Sequence, residues 1–144
     1  MRCQQGDVGE TGSDRLVGVG QRVVRTEVGH ALQFETDAHV RYFVEENPAL
    51  TLHDDTEVAI SLPAPAPGAD IAAELTGATI ELSTCTADGS LVVLFDTGTV
   101  LSVPPSPDFE SWNVSAPGNV LVVSTPGGTI AAWNWPSTDG HGYP

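Results

Sequence analysis

Residues 89–103 read Gly-Ser-Leu-Val-Val-Leu-Phe-Asp-Thr-Gly-Thr-Val-Leu-Ser-Val. Two apolar runs, 91–95 and 100–103, flank Asp96-Thr97-Gly98, whose glycine supplies the positive φ that a tight turn needs. The first run is apolar at every position, which is typical of a strand covered on both faces. The stretch therefore predicts an antiparallel hairpin near the centre of a β-sheet.

Short runs rich in Val, Ile, Leu and Thr recur on both sides of this hairpin, separated by Gly, Pro, Asp and Asn. This alternation is typical of an all-β protein. The predicted strands lie near 21–27, 31–36, 39–45, 50–53, 57–61, 78–86, 90–96, 99–103, 110–115, 119–124 and 128–134.

Less regular stretches divide the chain. Three prolines within 63–69 exclude a helix interior and a central strand, so we predict a linker there. At most one short helix is expected, near 70–76. Residues 1–14 and 136–144 are predicted to be a disordered leader and a flexible tail around a single all-β domain at 15–135.

The linker separates two halves of similar sequence, about 16–62 and 75–135. Leu16-Val17-Gly18 matches Leu75-Thr76-Gly77, and Phe34-Glu35-Thr36 matches Phe95-Asp96-Thr97. The offset grows from 59 to 61 between these matches, which one longer turn would absorb. We therefore predict an internal repeat: two similar antiparallel β-meander halves packed as a sandwich or partly open barrel.

Three segments in the second half form a distinctive series: the 89–103 hairpin, Asp108-Phe109-Glu110-Ser111-Trp112, and the closing run Pro126-Gly127-Gly128-Thr129-Ile130-Ala131-Ala132-Trp133. In this order they resemble an uncharacterised actinobacterial family, the domain of unknown function numbered 6188. Phe109 stands where a Tyr is expected in that family. The resemblance implies a small all-β protein and no known activity.

Charge is distributed very unevenly along the chain. The formal net charge is -14, and lysine is absent. Every arginine lies at or before Arg41, whereas 42–144 carry thirteen carboxylates. Such a chain repels nucleic acid and anionic membranes and attracts basic partners. The alternative is that the acidity only keeps the protein soluble or reflects the composition of its host.

The charge pattern favours a non-catalytic interaction protein that binds a basic protein partner, such as an immunity or antitoxin-like inhibitor of a toxin. The predicted contact residues are Glu45, Glu46, Asp54, Asp55, Glu57, Asp108, Glu110 and Trp112. Two alternatives stay open. One is a small-ligand-binding β-domain with a pocket lined by Trp112, Trp133 and Trp135, and the other is a homodimer sealed through the apolar strands 91–95 and 120–123.

No enzyme, catalytic residue, metal site or cofactor is predicted. His53-Asp54-Asp55 with Glu57 lacks the glycine and the ligand spacing of a calcium loop, and no Gly-x-Ser-x-Gly elbow occurs. Cys3 and Cys85 lie far apart in sequence, so we expect no structural disulfide and a cytoplasmic protein. We expect no signal peptide, because the N-terminus is polar. No apolar run approaches the ~18 residues that a membrane span needs.

Overall fold

A computed structural model describes residues 16–45, 48–60, 62 and 69–134 of the chain. Within these ranges eleven strands and one short helix follow in this order: β1 Val23–Val28, β2 Leu32–Thr36, β3 Arg41–Val44, β4 Ala49–Thr51, β5 Glu57–Ala59, α1 Ala69–Ala73, β6 Ile80–Cys85, β7 Leu91–Phe95, β8 Val100–Val103, β9 Trp112–Ala116, β10 Val120–Ser124 and β11 Ile130–Trp133. Each predicted strand overlaps one of these. The predicted leader, tail and most of the linker lie outside the described residues.

The strands form two antiparallel sheets that pack together, and neither sheet closes into a barrel. One sheet has the strand order β1-β2-β3-β9-β10-β11, and the other has the order β5-β4-β8-β7-β6. The all-β fold class and the single short helix predicted from the sequence are confirmed. The decisive hairpin of residues 89–103 is β7 and β8, and β7 lies between β6 and β8 inside its sheet.

Each half of the chain contributes strands to both sheets. The first half places β1–β3 in the six-stranded sheet and β4 and β5 in the other sheet. The second half places β6–β8 in the five-stranded sheet and β9–β11 in the first. Exchanging the two halves converts the order β1-β2-β3-β9-β10 into β6-β7-β8-β4-β5, so the sheets share one topology apart from β11.

Two equivalent backbone hydrogen bonds also join the two halves. The Gly20 amide donates to the Ile80 carbonyl (2.7 Å), and the Gly77 amide donates to the Val23 carbonyl (2.8 Å). Gly20 and Gly77 both have positive φ, at 84° and 98°. The residue equivalent to Gly77 is therefore Gly20, two positions after the Gly18 that sequence matching selects.

The turns after β2 and β7 are equivalent in the same way. The His39 amide donates to Thr36 O and the Gly98 amide donates to Phe95 O, both at 2.9 Å. Both donors have positive φ, at 69° and 89°. Thr36 is thus the counterpart of Phe95, and the predicted match of Phe34 with Phe95 is again two residues out. A shift of two keeps every side chain on the same face of its strand, which is why the pattern was visible in the sequence.

The core lies between the sheets, and its largest fully buried side chains include Trp112, Tyr42, Phe34 and Phe95. The Phe34 ring stacks on Tyr42 at a centroid distance of 4.5 Å and meets Phe95 edge-on at 5.8 Å. These aromatic contacts join the six-stranded sheet, which carries Phe34 and Tyr42, to the five-stranded sheet, which carries Phe95.

Tyr42 also makes a polar connection across this core. Its hydroxyl donates to the Val17 carbonyl (2.8 Å) and hydrogen-bonds the Ser83 Oγ (2.7 Å). Ser83 is fully buried on β6 of the opposite sheet. Burial raises the pKa of Tyr42 well above the ordinary tyrosine value,. The hydroxyl therefore stays protonated and links three segments of the chain.

The predicted dimer strands are not at a sheet edge. β7 lies between β6 and β8, and β10 lies between β9 and β11. Their backbone groups are already paired on both sides, so these strands are not free to pair with a second copy at a sheet edge. Homodimerisation itself stays a prediction.

Cys85 departs from the sequence-based expectation. It is fully buried at the end of β6 and is disulfide-bonded, so the expectation of no structural disulfide is wrong. Separation along the chain does not limit proximity in a folded sheet protein. Cys3, the other cysteine, lies outside the described residues. In the part of the chain that the structure describes, no helix is long and apolar enough to cross a membrane.

Candidate partner-binding site

The predicted contact residues fall at opposite ends of the sandwich. The Glu45 amide donates to the Ser111 carbonyl (2.8 Å), so Glu45 lies beside the β8–β9 connection that carries Asp108 and Glu110. The chain then crosses to the other sheet, and β4 runs away from this end. Asp54, Asp55 and Glu57 lie around the β4–β5 turn at the far end. Glu46 lies outside the described residues.

One predicted contact, Asp54, has a structural role. Its Oδ1 accepts a hydrogen bond from the Thr56 amide (3.0 Å), and hydrogen bonds with Thr56 lower the pKa of the Asp54 carboxyl. Asp88 closes the β6–β7 turn in the same manner by accepting from the Ser90 amide (3.0 Å). Asp and Asn commonly close turns in this way. These carboxylates stabilise turns and need no partner to explain them.

Trp112 belongs to the core. Only 1% of it is exposed, and its indole N–H donates to the Gly89 carbonyl at 3.0 Å. Glu110 precedes β9 and is exposed, whereas Trp112 is buried, so these two predicted contacts do not form one accessible surface. As placed, the Trp112 ring anchors β9 and is inaccessible to a partner.

The remaining predicted contacts are accessible. Within the described residues, these exposed carboxylates accept no hydrogen bond and form no ion pair: Glu45, Asp55, Glu57, Asp108 and Glu110. An exposed carboxylate without a structural partner is free to bind an external cation. Three of the five, Glu45, Asp108 and Glu110, lie at one end.

Phe109 is the residue that sequence reasoning missed as a contact. It is 43% exposed, one of few large apolar side chains so placed among the described residues. It lies between Asp108 and Glu110. The available signal was a single aromatic residue in a polar, proline-rich connection, where no strand pattern requires one. We call Glu45, Asp108, Phe109 and Glu110 the Phe109 face.

The connection beneath the Phe109 face is held by hydrogen bonds. The Ser111 hydroxyl donates to the Pro104 carbonyl. The Asp108 amide donates to the Ser106 Oγ (3.1 Å), and the Gly127 amide donates to the Ser106 carbonyl (2.8 Å). Ser106 and Ser111 are buried. The loop therefore has a defined backbone conformation before any partner binds.

A close contact between two turns supports this end of the sandwich. A Cβ on Gly128 would overlap the Asp88 carbonyl oxygen, and Gly128 has a φ of +94°. The Gly89 carbonyl accepts hydrogen bonds from the Trp112 indole (3.0 Å) and the Ser124 hydroxyl (3.2 Å). The β6–β7 and β10–β11 turns are thereby fixed against each other.

The described ion pairs lie elsewhere, on β1–β3 of the six-stranded sheet. Glu35 Oε1 is 2.7 Å from the Arg25 guanidinium and 3.5 Å from that of Arg41, and Glu35 Oε2 is 3.4 Å from His39 Nδ1. The hydrogen bond with His39 and the charges of the two arginines lower the pKa of Glu35. Glu35 thus offsets part of the positive charge of Arg25 and Arg41. Neither arginine lies on the Phe109 face.

In the described ranges, no group of three or more His, Cys, Asp or Glu side chains is placed to hold a metal ion.

No curated protein and no solved structure matches the chain significantly. A family model, described as a family of unknown function (DUF6188), matches residues 16–134. This match confirms the family resemblance carried by the three second-half segments. The chain therefore belongs to the family of unknown function DUF6188.

Proposed function

We propose that this protein is a non-catalytic interaction protein that binds a basic protein partner through the Phe109 face. An immunity or antitoxin-like inhibitor that covers the basic surface of a toxin is the concrete form of the proposal. The observation that carries it is an exposed aromatic ring between two carboxylates that have no partner among the described residues, on a loop with a hydrogen-bonded backbone.

The composition of this face suits protein recognition. Aromatic side chains are enriched among the residues that dominate binding energy, and near-neutral polar neighbours exclude water around them. Phe109 would supply the apolar contact. Asp108 and Glu110 would pair with Lys or Arg of the partner, and Glu45 would extend the negative potential along the same end.

Preorganisation supports the same reading. Binding costs less when a loop does not have to be ordered, and Ser106 and Ser111 already hold this loop in one conformation. The net charge of -14 would accelerate the encounter with a basic partner,. That acceleration decreases as salt screens the charges.

A small-ligand-binding β-domain is the second candidate, with less support. Trp112 fills the core, Trp133 is 51% exposed, and Trp135 lies outside the described residues. A cytoplasmic location and an actinobacterial source stay predictions. A disulfide at Cys85 is more typical of an oxidising compartment, so alkylation of the protein isolated from its host, with and without reductant, tests whether Cys85 is oxidised there.

The proposal is tested by capture from host lysate on immobilised full-length protein, at low and high salt. Four baits are compared: the wild type, Phe109→Ala, Asp108→Asn/Glu110→Gln, and the matched control Asp55→Asn/Glu57→Gln at the opposite end. We expect one basic protein on the wild type and the control, weaker capture by both loop variants, and release at high salt. Equal capture by all four baits, or no partner on any bait, would contradict the proposal.

A further inference from the structure

A pocket of about 200 Å³ lies at the end of the sandwich opposite the Phe109 face. It is formed by α1 and the two residues after it, together with the β4–β5 and β7–β8 turns. The lining residues are Leu52, His53, Ile71, Glu74, Leu75, Thr97 and Thr99. None of the interactions described for the Phe109 face involves this pocket.

The floor of the pocket is apolar and continuous with the core. Leu75 is only 3% exposed, and Leu52 and Ile71 are half-buried and pack against the core residues. The backbone around the floor is fixed, because the Ala78 amide donates to Leu75 O (3.0 Å) and the Leu52 amide donates to Thr56 O (2.8 Å). Such a floor favours a short hydrocarbon segment.

The rim of the pocket is negative. Glu74 is exposed, and its carboxylate has no hydrogen bond or ion pair with any described residue. None of the described arginines lines the pocket. On the opposite rim, Thr97 and Thr99 provide hydroxyl groups. A carboxylate beside an apolar floor is complementary to a ligand with a hydrocarbon body and a cationic head.

We propose that this pocket binds a small aliphatic amine, a ligand of the alkylammonium class. The methylene groups would lie on Leu52, Ile71 and Leu75, and the ammonium would pair with Glu74. The volume matches a ligand smaller than the drug-sized molecules that typical pockets of roughly 300–1,000 Å³ hold. The site is independent of the Phe109 face and of its proposed partner.

Titration of the full chain with 1,4-diaminobutane and butylamine, followed by NMR, tests the proposal. Butanol and butyrate serve as controls that share the hydrocarbon body and lack the positive charge. At an ionic strength of about 0.15 M, both amines should cause saturable shifts at Leu75 and Thr97. Glu74→Gln should weaken binding by about tenfold, the effect of about 1.4 kcal/mol.

The matched control variant is Glu27→Gln, an exposed carboxylate on β1 of the six-stranded sheet, outside the pocket. Glu27→Gln should leave the amine affinity unchanged. Three results would overturn the proposal: no saturable shifts, equal binding of butanol and butylamine, or equal weakening by both variants. The last of these would mean that amines act only as counterions of an acidic protein.

Discussion

Replacing Tyr42 with Phe tests whether the buried tyrosine hydroxyl stabilises the fold. The substitution removes one oxygen and keeps the ring that stacks on Phe34 at 4.5 Å. It leaves the Val17 carbonyl and the Ser83 hydroxyl without the hydrogen bonds that they make at 2.8 and 2.7 Å. Ser83 is fully buried and Val17 is half-buried, so water does not readily replace either hydrogen bond.

Leaving a buried polar group unsatisfied costs about 1–3 kcal/mol. We therefore expect Tyr42→Phe to lower the free energy of unfolding by about 2 kcal/mol, out of the roughly 5–15 kcal/mol typical of a domain. Ser83→Ala should cost less, about 1 kcal/mol, because the Tyr42 hydroxyl keeps its bond to Val17. The double variant should cost less than the sum of the two, because the residues share one hydrogen bond.

Urea unfolding of the wild type, both single variants and the double variant measures these free energies, and an unchanged m-value validates the comparison.

The pH dependence of the unfolding free energy gives a second readout. The pKa of Tyr42 is raised in the folded state, so above about pH 10 the unfolded chain loses this proton first and stability falls. The Phe variant should lack this part of the decline. Two results would show that the Tyr42 hydroxyl does not stabilise the core: a cost below about 0.5 kcal/mol for Tyr42→Phe, which is within the range of surface substitutions, or strictly additive costs of the two variants.

Substitutions at Gly128, Glu35 and Trp112 test three other features of the structure. Gly128→Ala should lower the free energy of unfolding in urea by about 3 kcal/mol or more, because the added Cβ overlaps a backbone carbonyl,. The control Gly118→Ala, also at positive φ but in open space, should cost only about 1 kcal/mol. Equal costs would refute the close contact at Gly128. The pKa of Glu35, lowered chiefly by its hydrogen bond with His39, should be below the unfolded-state value by NMR. The contribution of Glu35 to stability is present above that value and is lost as pH falls. Glu35→Gln should therefore reduce the loss of unfolding free energy at acid pH. An unchanged loss in the variant would contradict this. Trp112→Phe, which loses the indole bond to a backbone carbonyl, should cost about 1–3 kcal/mol in the same unfolding assay, and a neutral effect would contradict the anchoring role.

The fold could be predicted largely from local patterns. Alternating apolar residues and Gly-containing turns located all eleven described strands, because strand formation and tight turns depend on local residue preferences. The division of each half between two sheets could not be predicted, since β3 pairs with β9 and β4 with β8 across long separations. The sequence match between the two halves was offset by two residues. Side chains alternate between the two faces of a strand with a period of two, so this offset leaves the apolar pattern unchanged.

The candidate site was predicted in part. Charge identified Asp108 and Glu110 as accessible carboxylates, but charge alone did not separate them from Asp54, which closes a turn. Trp112 was predicted as a contact, and the structure buries it. Phe109 was missed because exposure depends on how a loop leaves the sheet, and single residues carry no periodic signal.

Hydrogen exchange of this protein alone and in complex with the partner captured from host lysate tests whether the partner binds the Phe109 face. We expect binding to slow exchange in residues 106–111, which carry Asp108, Phe109 and Glu110, and to leave the β4–β5 turn at 53–56 unchanged. Slowed exchange at 53–56 with none at 106–111, or no change at either end, would contradict it.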